Sequence, residues 1–233
     1  MLTGAVLCPA TPLLYPDITG RDAVVPELRA ACARAVTRLL NREPDTVAVI
    51  GPAELTGQWD PASRLDPSVF APSIPRTGDR SLPPTLGLGA FLLDQAGYGG
   101  QRRLQAVGRC EPASACIQLG TRLRETETKV ALLVMGDGSA RRTLKAPGYL
   151  DNRAAAFDAE VERAVRDSDL GALQRLDQHL ARDLLATGWP AWQVLSGALQ
   201  DLALSADVLY CDAPFGVGYF VAYLTGYGYP ADS

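Results

Sequence analysis

Apolar residues in this chain fall into short uninterrupted runs, separated by segments in which they recur every three or four positions. The run at 130–135, VALLVM, follows a charged lead-in and stops at glycine, which is typical of a strand buried on both faces of a parallel sheet. The runs at 4–8 and 46–52 also end abruptly, next to prolines, which favour an extended backbone conformation where the chain leaves the strand. The pattern predicts strands at 4–8, 46–52, 103–107 and 130–135, a buried strand at 207–211 and an edge strand at 219–223.

Helical spacing fills much of the chain between these runs. In 26–41, Leu28, Cys32 and Val36 repeat at four-residue intervals, and Pro26 suits the first turn of a helix. The predicted helices lie at 26–41, 86–93, 112–126, 152–166, 170–186 and 190–202. Because strands and helices alternate over the first two thirds of the chain, we predict a three-layer α/β fold with a largely parallel sheet, formed by residues 1–233 as a single domain.

The segment 56–84 has a different character. It is rich in proline and lacks apolar periodicity, so we predict a long loop with at most a poor edge strand at 68–70. A long loop over an α/β sheet often covers a site.

Composition and charge restrict the kinds of molecule that this protein is expected to bind. The chain has 233 residues, 47% apolar and 21% charged, which is close to the average for globular proteins. Its net charge is −4, and no block of Lys or Arg is long enough to attract nucleic acid. No apolar run reaches the roughly 18–20 residues of a membrane span, and the N-terminus lacks signal-peptide features. We expect a cytoplasmic protein that binds neither nucleic acid nor membrane.

Cysteine and histidine usage excludes several kinds of site. The five cysteines are irregularly spaced and form neither a disulfide framework nor a zinc pattern, so we expect buried free thiols. His179 is the single histidine of the chain. Any mechanism or metal site that needs two histidines is therefore excluded.

Candidate chemistry begins where the run at 130–135 ends. The glycines of 136–139 permit a tight turn and a close approach by a ligand, and Asp137 and Ser139 are its polar side chains. Three cations follow, namely Arg141, Arg142 and Lys145. Asp151 is then placed as the N-cap of the helix at 152–166. Ligands of open α/β sheets bind beyond the carboxyl ends of the strands, which makes this stretch a predicted pocket wall. A solvated connecting loop is the alternative.

Four segments in order resemble the class III extradiol ring-cleavage dioxygenase superfamily, which includes the Memo-like proteins. They are LCPATPLL at 7–14, VIGPAE at 49–54, MGDGSA at 135–140 with the following 154–158, and DAPFGVGYF at 212–220. The resemblance covers most of the chain. It implies the three-layer α/β fold of that superfamily.

The resemblance also implies an iron site that this chain has lost. Members that cleave catechols hold Fe(II) with two histidines and a carboxylate. Their first iron histidine falls at Ala10 or Thr11 of this chain and their second at Glu54. The second-shell acid/base histidine falls at Ala140 or Arg142. We expect no metal and no cofactor, with one alternative left open: Glu54 and Asp212 as oxygen ligands of a divalent ion such as Mg²⁺.

In a pocket without iron, the basic residues have two possible roles. Arg142, helped by Arg141 and Lys145, suits a small anionic or phenolic ligand. Alternatively, Arg142 pairs with Glu54 or Asp137 and fills the vacated site. Further candidate ligand contacts are Thr11, Ser139, Tyr149, Asp212 and Tyr219. Tyr149, Tyr219 and Trp59 suit either stacking on an aromatic ligand or ordinary packing.

Three functions fit these observations. We favour a catalytically silent relative that binds a small molecule, and a homo-oligomer is compatible with this role. The second is an enzyme without iron, in which Glu54 or Asp137 is the general base and Arg142 steadies a developing anion. The third is an oxygenase with a rebuilt metal site. The resemblance further predicts that Glu54 and Ser139 face one cavity, with Arg142 reaching it or its rim, and that Arg142 or Arg141 forms a salt bridge with Glu54.

Overall fold

The computed structural model describes residues 1–19, 25–71, 81–125 and 128–226. The strands in these ranges are β1 (Leu2–Cys8), β2 (Thr46–Ala53), β3 (Gly57–Trp59), β4 (Gln101–Gly108), β5 (Val130–Met135), β6 (Leu204–Asp212) and β7 (Tyr219–Gly226). The α-helices are α1 (Pro16–Thr19), α2 (Pro26–Leu40), α3 (Pro84–Gln95), α4 (Ala113–Arg124), α5 (Ala154–Arg166), α6 (Leu170–Arg175), α7 (Gln178–Asp183) and α8 (Trp189–Leu199). Single 3₁₀ turns lie at Pro12–Leu14 and Pro67–Val69.

The strands form one mixed sheet in the order β3-β4-β2-β5-β1-β7-β6. The four central strands β4, β2, β5 and β1 are mutually parallel. Strand β3 is antiparallel to β4, and β7 is antiparallel to both β1 and β6. The predicted α/β fold is therefore confirmed, and the sheet that was predicted to be largely parallel is parallel at its centre and antiparallel at both sides. Strands β1, β2, β4, β5 and β6 all end at one edge of the sheet, where β7 begins.

Helices cover both faces of the sheet and make three layers. Every residue of β5 is buried, and its side chains alternate between two cores. Leu132 packs into the core formed with α4, α5 and α8, whereas Leu133 packs into the core formed with α2 and α3. Burial of one such leucine contributes about 1.5–3 kcal/mol, so two filled cores hold the strand ends in place.

The predicted environments of the last two strands were wrong. The run at 219–223 was expected at an edge, but β7 lies between β1 and β6, and residues 219–224 are buried. The run at 207–211 was expected to be buried, but β6 is the edge strand and is only partly covered. An apolar run does not identify its neighbours, because the strand order is decided by long-range pairing.

Three local predictions also need correction. The predicted helix at 170–186 is two helices, because α6 ends at Arg175 and the carboxylate of Asp177 then caps α7 by accepting from the backbone N–H groups of His179 and Leu180. Asp151 is not the N-cap of α5, since Arg153 occupies that position. The stretch at 68–70 holds a 3₁₀ turn, and the edge strand is β3 instead. Residues 72–80 of the predicted long loop, and residue 126 of the helix predicted at 112–126, lie outside the described residues.

The cysteines divide into two groups. Cys8, Cys32 and Cys116 are buried free thiols, as predicted, whereas Cys110 and Cys211 are exposed. Cys211 is exposed because it lies near the end of the edge strand β6. Among the described residues, no helix combines the length and the apolar character that crossing a membrane requires.

Candidate functional site

A cavity of about 480 Å³, here called the sheet-edge pocket, opens where β1 and β5 end and β7 begins. Its polar lining residues are Thr11, Asp137, Thr187 and Tyr219. Its apolar walls are formed by Pro12, Leu13, Ala140, Pro147, Leu185, Phe215 and Val217. Few polar groups set in an apolar wall are typical of a small-molecule site.

Asp137 is the ionisable centre of this pocket. The backbone N–H of Ala10, just beyond β1, donates a hydrogen bond to Asp137 Oδ1 at 2.8 Å. Burial raises the pKa of the Asp137 carboxyl to about 7, and the hydrogen bond from Ala10 opposes the shift only in part. None of the described residues lining the pocket is Lys or Arg. The carboxyl therefore changes charge near neutral pH without a basic partner in the lining.

Two hydroxyl groups lie in the same pocket. Thr11 Oγ1 and Tyr219 Oη are 3.2 Å apart and share a hydrogen bond. Burial, with a smaller contribution from the charge of Asp137, raises the pKa of Tyr219 to about 12. Tyr219 therefore stays a neutral hydroxyl at physiological pH, able to donate or accept a hydrogen bond.

A close contact between two loops adds Thr187 to the site. A Cβ atom at Gly136 would overlap the Cα of Gly188, so only glycine allows this approach of the chain after β5 to the chain before α8. The N–H of Gly188 donates to the carbonyl of Asp137 at 2.8 Å, and the N–H of Asp137 donates to Thr187 Oγ1 at 3.4 Å. The Asp137 backbone is thus held from both sides.

A buried ionic network supports the pocket from behind. Asp158 on α5 accepts hydrogen bonds from the backbone N–H of Ser139 at 2.8 Å and from Ser139 Oγ at 2.7 Å. Arg142 Nη1 lies 3.1 Å from Asp158 Oδ2 and completes a salt bridge. Burial raises the pKa of Asp158, while the hydrogen bonds from Ser139 and Arg142 oppose the shift. Asp158 therefore anchors the turn that carries Asp137.

The predicted site residues separate into two groups. Asp137, Thr11 and Tyr219 lie together in the sheet-edge pocket. Ser139 is fully buried against Asp158, so it supports the turn without lining the pocket. The others lie outside the lining: Glu54, Arg141, Arg142, Lys145, Tyr149 and Asp212. Of these, Lys145, Tyr149 and Asp212 are exposed, and Trp59 lies on the distant edge strand β3.

The predicted pairing of Glu54 was wrong. The Glu54 side chain is 88% exposed, and its basic neighbour is Arg109, at 4.0 Å. Arg142 pairs with Asp158 instead. The cause is the path of β2, which pairs with β5 only as far as Ile50 but with β4 as far as Ala53. The strand end therefore follows β4, and Glu54 leaves the Asp137 turn.

The donor groups of the pocket do not fit an iron site. His179 lies exposed on α7 and is not part of the lining, so the described lining residues offer one carboxylate and three hydroxyls but no imidazole. The alternative Mg²⁺ pair was also wrong: Glu54 follows β2 and Asp212 ends β6, four strand spacings or roughly 19 Å apart. In the described part of the chain, no three His, Cys, Asp or Glu residues cluster as metal ligands would.

Sequence reasoning missed Thr187 and Leu185, which reach the pocket from the loop between α7 and α8. Neither residue belongs to a recognisable motif. The sequence signal that could have found them is the helix break before Gly188. It indicates a loop at this position, and a loop next to the strand ends can contribute side chains to a site there.

Comparisons with known proteins give a fold and no family. No protein-family model matches the chain, and no curated protein matches it. The crystal structure of an uncharacterized protein from Escherichia coli K12 matches with a TM-score of 0.60 and 15% sequence identity. The match covers 96% of this chain and 100% of the other. Similarity at this level shows a shared α/β architecture, and the case for function depends on the pocket.

Proposed function

We propose that the sheet-edge pocket binds a small aromatic compound that carries a hydroxyl group, and that the protein is a relative of the class III extradiol dioxygenases without their iron chemistry. One observation carries the proposal: the Asp137 carboxyl lies in a largely apolar cavity of about 480 Å³, and no described residue of the lining is a basic partner for it. An aromatic ring fits the apolar walls, and a ligand O–H supplies the hydrogen-bond donor that an ionised Asp137 lacks.

The lining supports one of the two ligand classes expected from the sequence. An anionic group beside Asp137 would face a second negative charge, with no Lys or Arg among the described lining residues to offset it. A neutral phenol avoids this repulsion, because it donates its proton to the carboxylate in a charge-assisted hydrogen bond. The part of the ligand that enters this pocket is therefore uncharged.

The first test compares 2-naphthol with its methyl ether by NMR titration. We expect the naphthol to bind about tenfold tighter above pH 7, because a hydrogen bond to a charged group contributes about 1.5–3 kcal/mol and the ether cannot donate one. The advantage should decrease below pH 7, where Asp137 is protonated. It should also decrease in Asp137→Asn. Equal binding of naphthol and ether at every pH would contradict the proposal.

The iron chemistry is tested separately. We expect the purified protein to hold no stoichiometric iron and to leave catechol and protocatechuate uncleaved after anaerobic reconstitution with Fe(II). The reason is the donor set, which lacks the two histidines of the active relatives. Ring-cleavage absorbance above a metal-free blank would overturn this expectation.

Acid–base catalysis is the second candidate function, and the pKa of Asp137 favours it. A base whose pKa is about 7 is well matched to proton transfer at neutral pH. Ionised Asp137 would remove a proton from the carbon next to a ring carbonyl, and Tyr219 would donate a hydrogen bond to the enolate oxygen. We expect deuterium exchange into cyclohexanone in D₂O, followed by ¹H NMR, to be about 10²-fold slower in Asp137→Asn. Exchange at the buffer rate with the native protein would exclude this activity.

A further inference from the structure

A second cavity lies beside the first. This side pocket has a volume of about 250 Å³ and shares Leu185 and Thr187 with the sheet-edge pocket. Its other walls come from the segment after β4, from α7 and from the start of α8. The two cavities are therefore neighbouring compartments along the same edge of the sheet.

The two compartments have different charges. Arg109 and Arg182 line the side pocket, whereas the sheet-edge pocket has the carboxyl of Asp137. No hydrogen bond or ion pair to the Arg182 side chain is found within the described ranges, and Arg109 has only the 4.0 Å contact with the exposed Glu54. A lining that combines two Arg residues with apolar side chains suits a ligand in which an anionic group is attached to an apolar part.

Leu185, which lies between the two compartments, has an unusual backbone conformation for a leucine. Leu185 follows α7 with a φ of +58°, a left-handed conformation at a helix end where glycine is the usual residue. The backbone N–H of Ala186 bonds to the carbonyl of Ala181 at 2.8 Å, which completes a Schellman motif. A leucine in this position costs backbone strain, and its side chain lines both pockets.

We propose that the side pocket binds the anionic end of an elongated ligand, a carboxylate carried on a short apolar linker, while the hydroxylated ring occupies the sheet-edge pocket. Leu185 is the wall that sets the length of the linker. The inference rests on the proposed function, since it extends the same ligand beyond the first pocket. It also accounts for the separation of the Arg residues from Asp137, because the ligand itself then joins the two charges.

The test uses 6-hydroxynaphthalene probes with a carboxylate on linkers of none to four methylene groups, each compared with its primary amide. With the native protein, we expect one linker length to bind about tenfold tighter as the carboxylate than as the amide. Arg182→Gln and Arg109→Gln should each remove most of this advantage, and should weaken binding of the carboxylate far more than binding of the amide. Arg122→Gln, an exposed change of equal charge on α4 outside both pockets, should have no effect.

Two further variants test the geometry. Glu54→Gln should strengthen carboxylate binding about twofold, because it removes the acid that contacts Arg109. Leu185→Gly should fold, since glycine tolerates the left-handed conformation, and should bind several linker lengths with similar affinity.

The outcomes separate this inference from the proposed function. If the amides bind through Asp137 but the carboxylates gain nothing, the side pocket is not an anion site and the proposed function stands. If the carboxylates bind through Arg182 without any effect of Asp137→Asn, the two pockets do not share one ligand and the inference is overturned. If no probe binds, the proposed function fails and the inference fails with it.

Discussion

Asp137→Asn should make the protein more stable at pH 8 than the native chain, by about 2 kcal/mol. The pKa of Asp137 is about 7 in the folded protein, against an ordinary value of about 3.9. The folded state therefore binds this proton more tightly than the unfolded state does, so the free energy of unfolding decreases as the pH rises from about 4 to 7. A shift of three pKa units corresponds to a cost of about 4 kcal/mol for ionising the carboxyl in the folded protein. Water that enters the open pocket solvates the carboxylate, so we expect about half of this value.

Chemical denaturation of both proteins at pH 4 and pH 8 measures this difference. The advantage of Asp137→Asn should vanish at pH 4, where the native carboxyl is protonated and carries no charge. Asp212→Asn is the control, because it removes an exposed aspartate at the end of the edge strand β6. An equal stability difference at the two pH values would show that Asp137 does not titrate in the way that its burial indicates. Groups whose pKa is strongly shifted by burial cluster at binding and catalytic sites.

Of the variants proposed for this protein, Asp158→Ala should lower the free energy of unfolding the most, by about 3–5 kcal/mol. The change removes three hydrogen bonds and leaves Arg142 and the buried Ser139 without their acceptor. Loss of one partner of a buried ion pair costs more than the pair itself contributes, because an uncompensated charge remains. Since this network holds the turn that carries Asp137, ligand binding should be lost together with stability.

The control for this prediction is Glu54→Ala, which removes an exposed acid with one distant ion pair. Its effect on the free energy of unfolding should stay within about 0.5 kcal/mol. A double variant, Asp158→Ala with Arg142→Met, should recover part of the loss, because it removes the unpaired guanidinium as well. If Asp158→Ala and Glu54→Ala had similar effects, the supporting role of Asp158 would be wrong.

The site shows where sequence reasoning succeeds and where it stops. Asp137 was predicted from the local strand-and-turn pattern, and Thr11 and Tyr219 lie in segments that carry the family resemblance; the structure brings all three into one pocket. Glu54 was predicted from both arguments and lies elsewhere. The difference is in strand pairing: β1 and β5 are neighbours up to their last residues, whereas β2 separates from β5 before its end.

By itself, the sequence determined the fold class and most of the helices and strands, because apolar periodicity and turn residues act over a few positions of the chain. It also determined that two histidines are unavailable to any site. Only the tertiary structure decided the order of the strands, the salt bridge of Arg142 with Asp158, and the approach of Thr187 and Leu185 to Asp137. These features join residues far apart in the chain, and their free energy comes from packing and burial that no local pattern records.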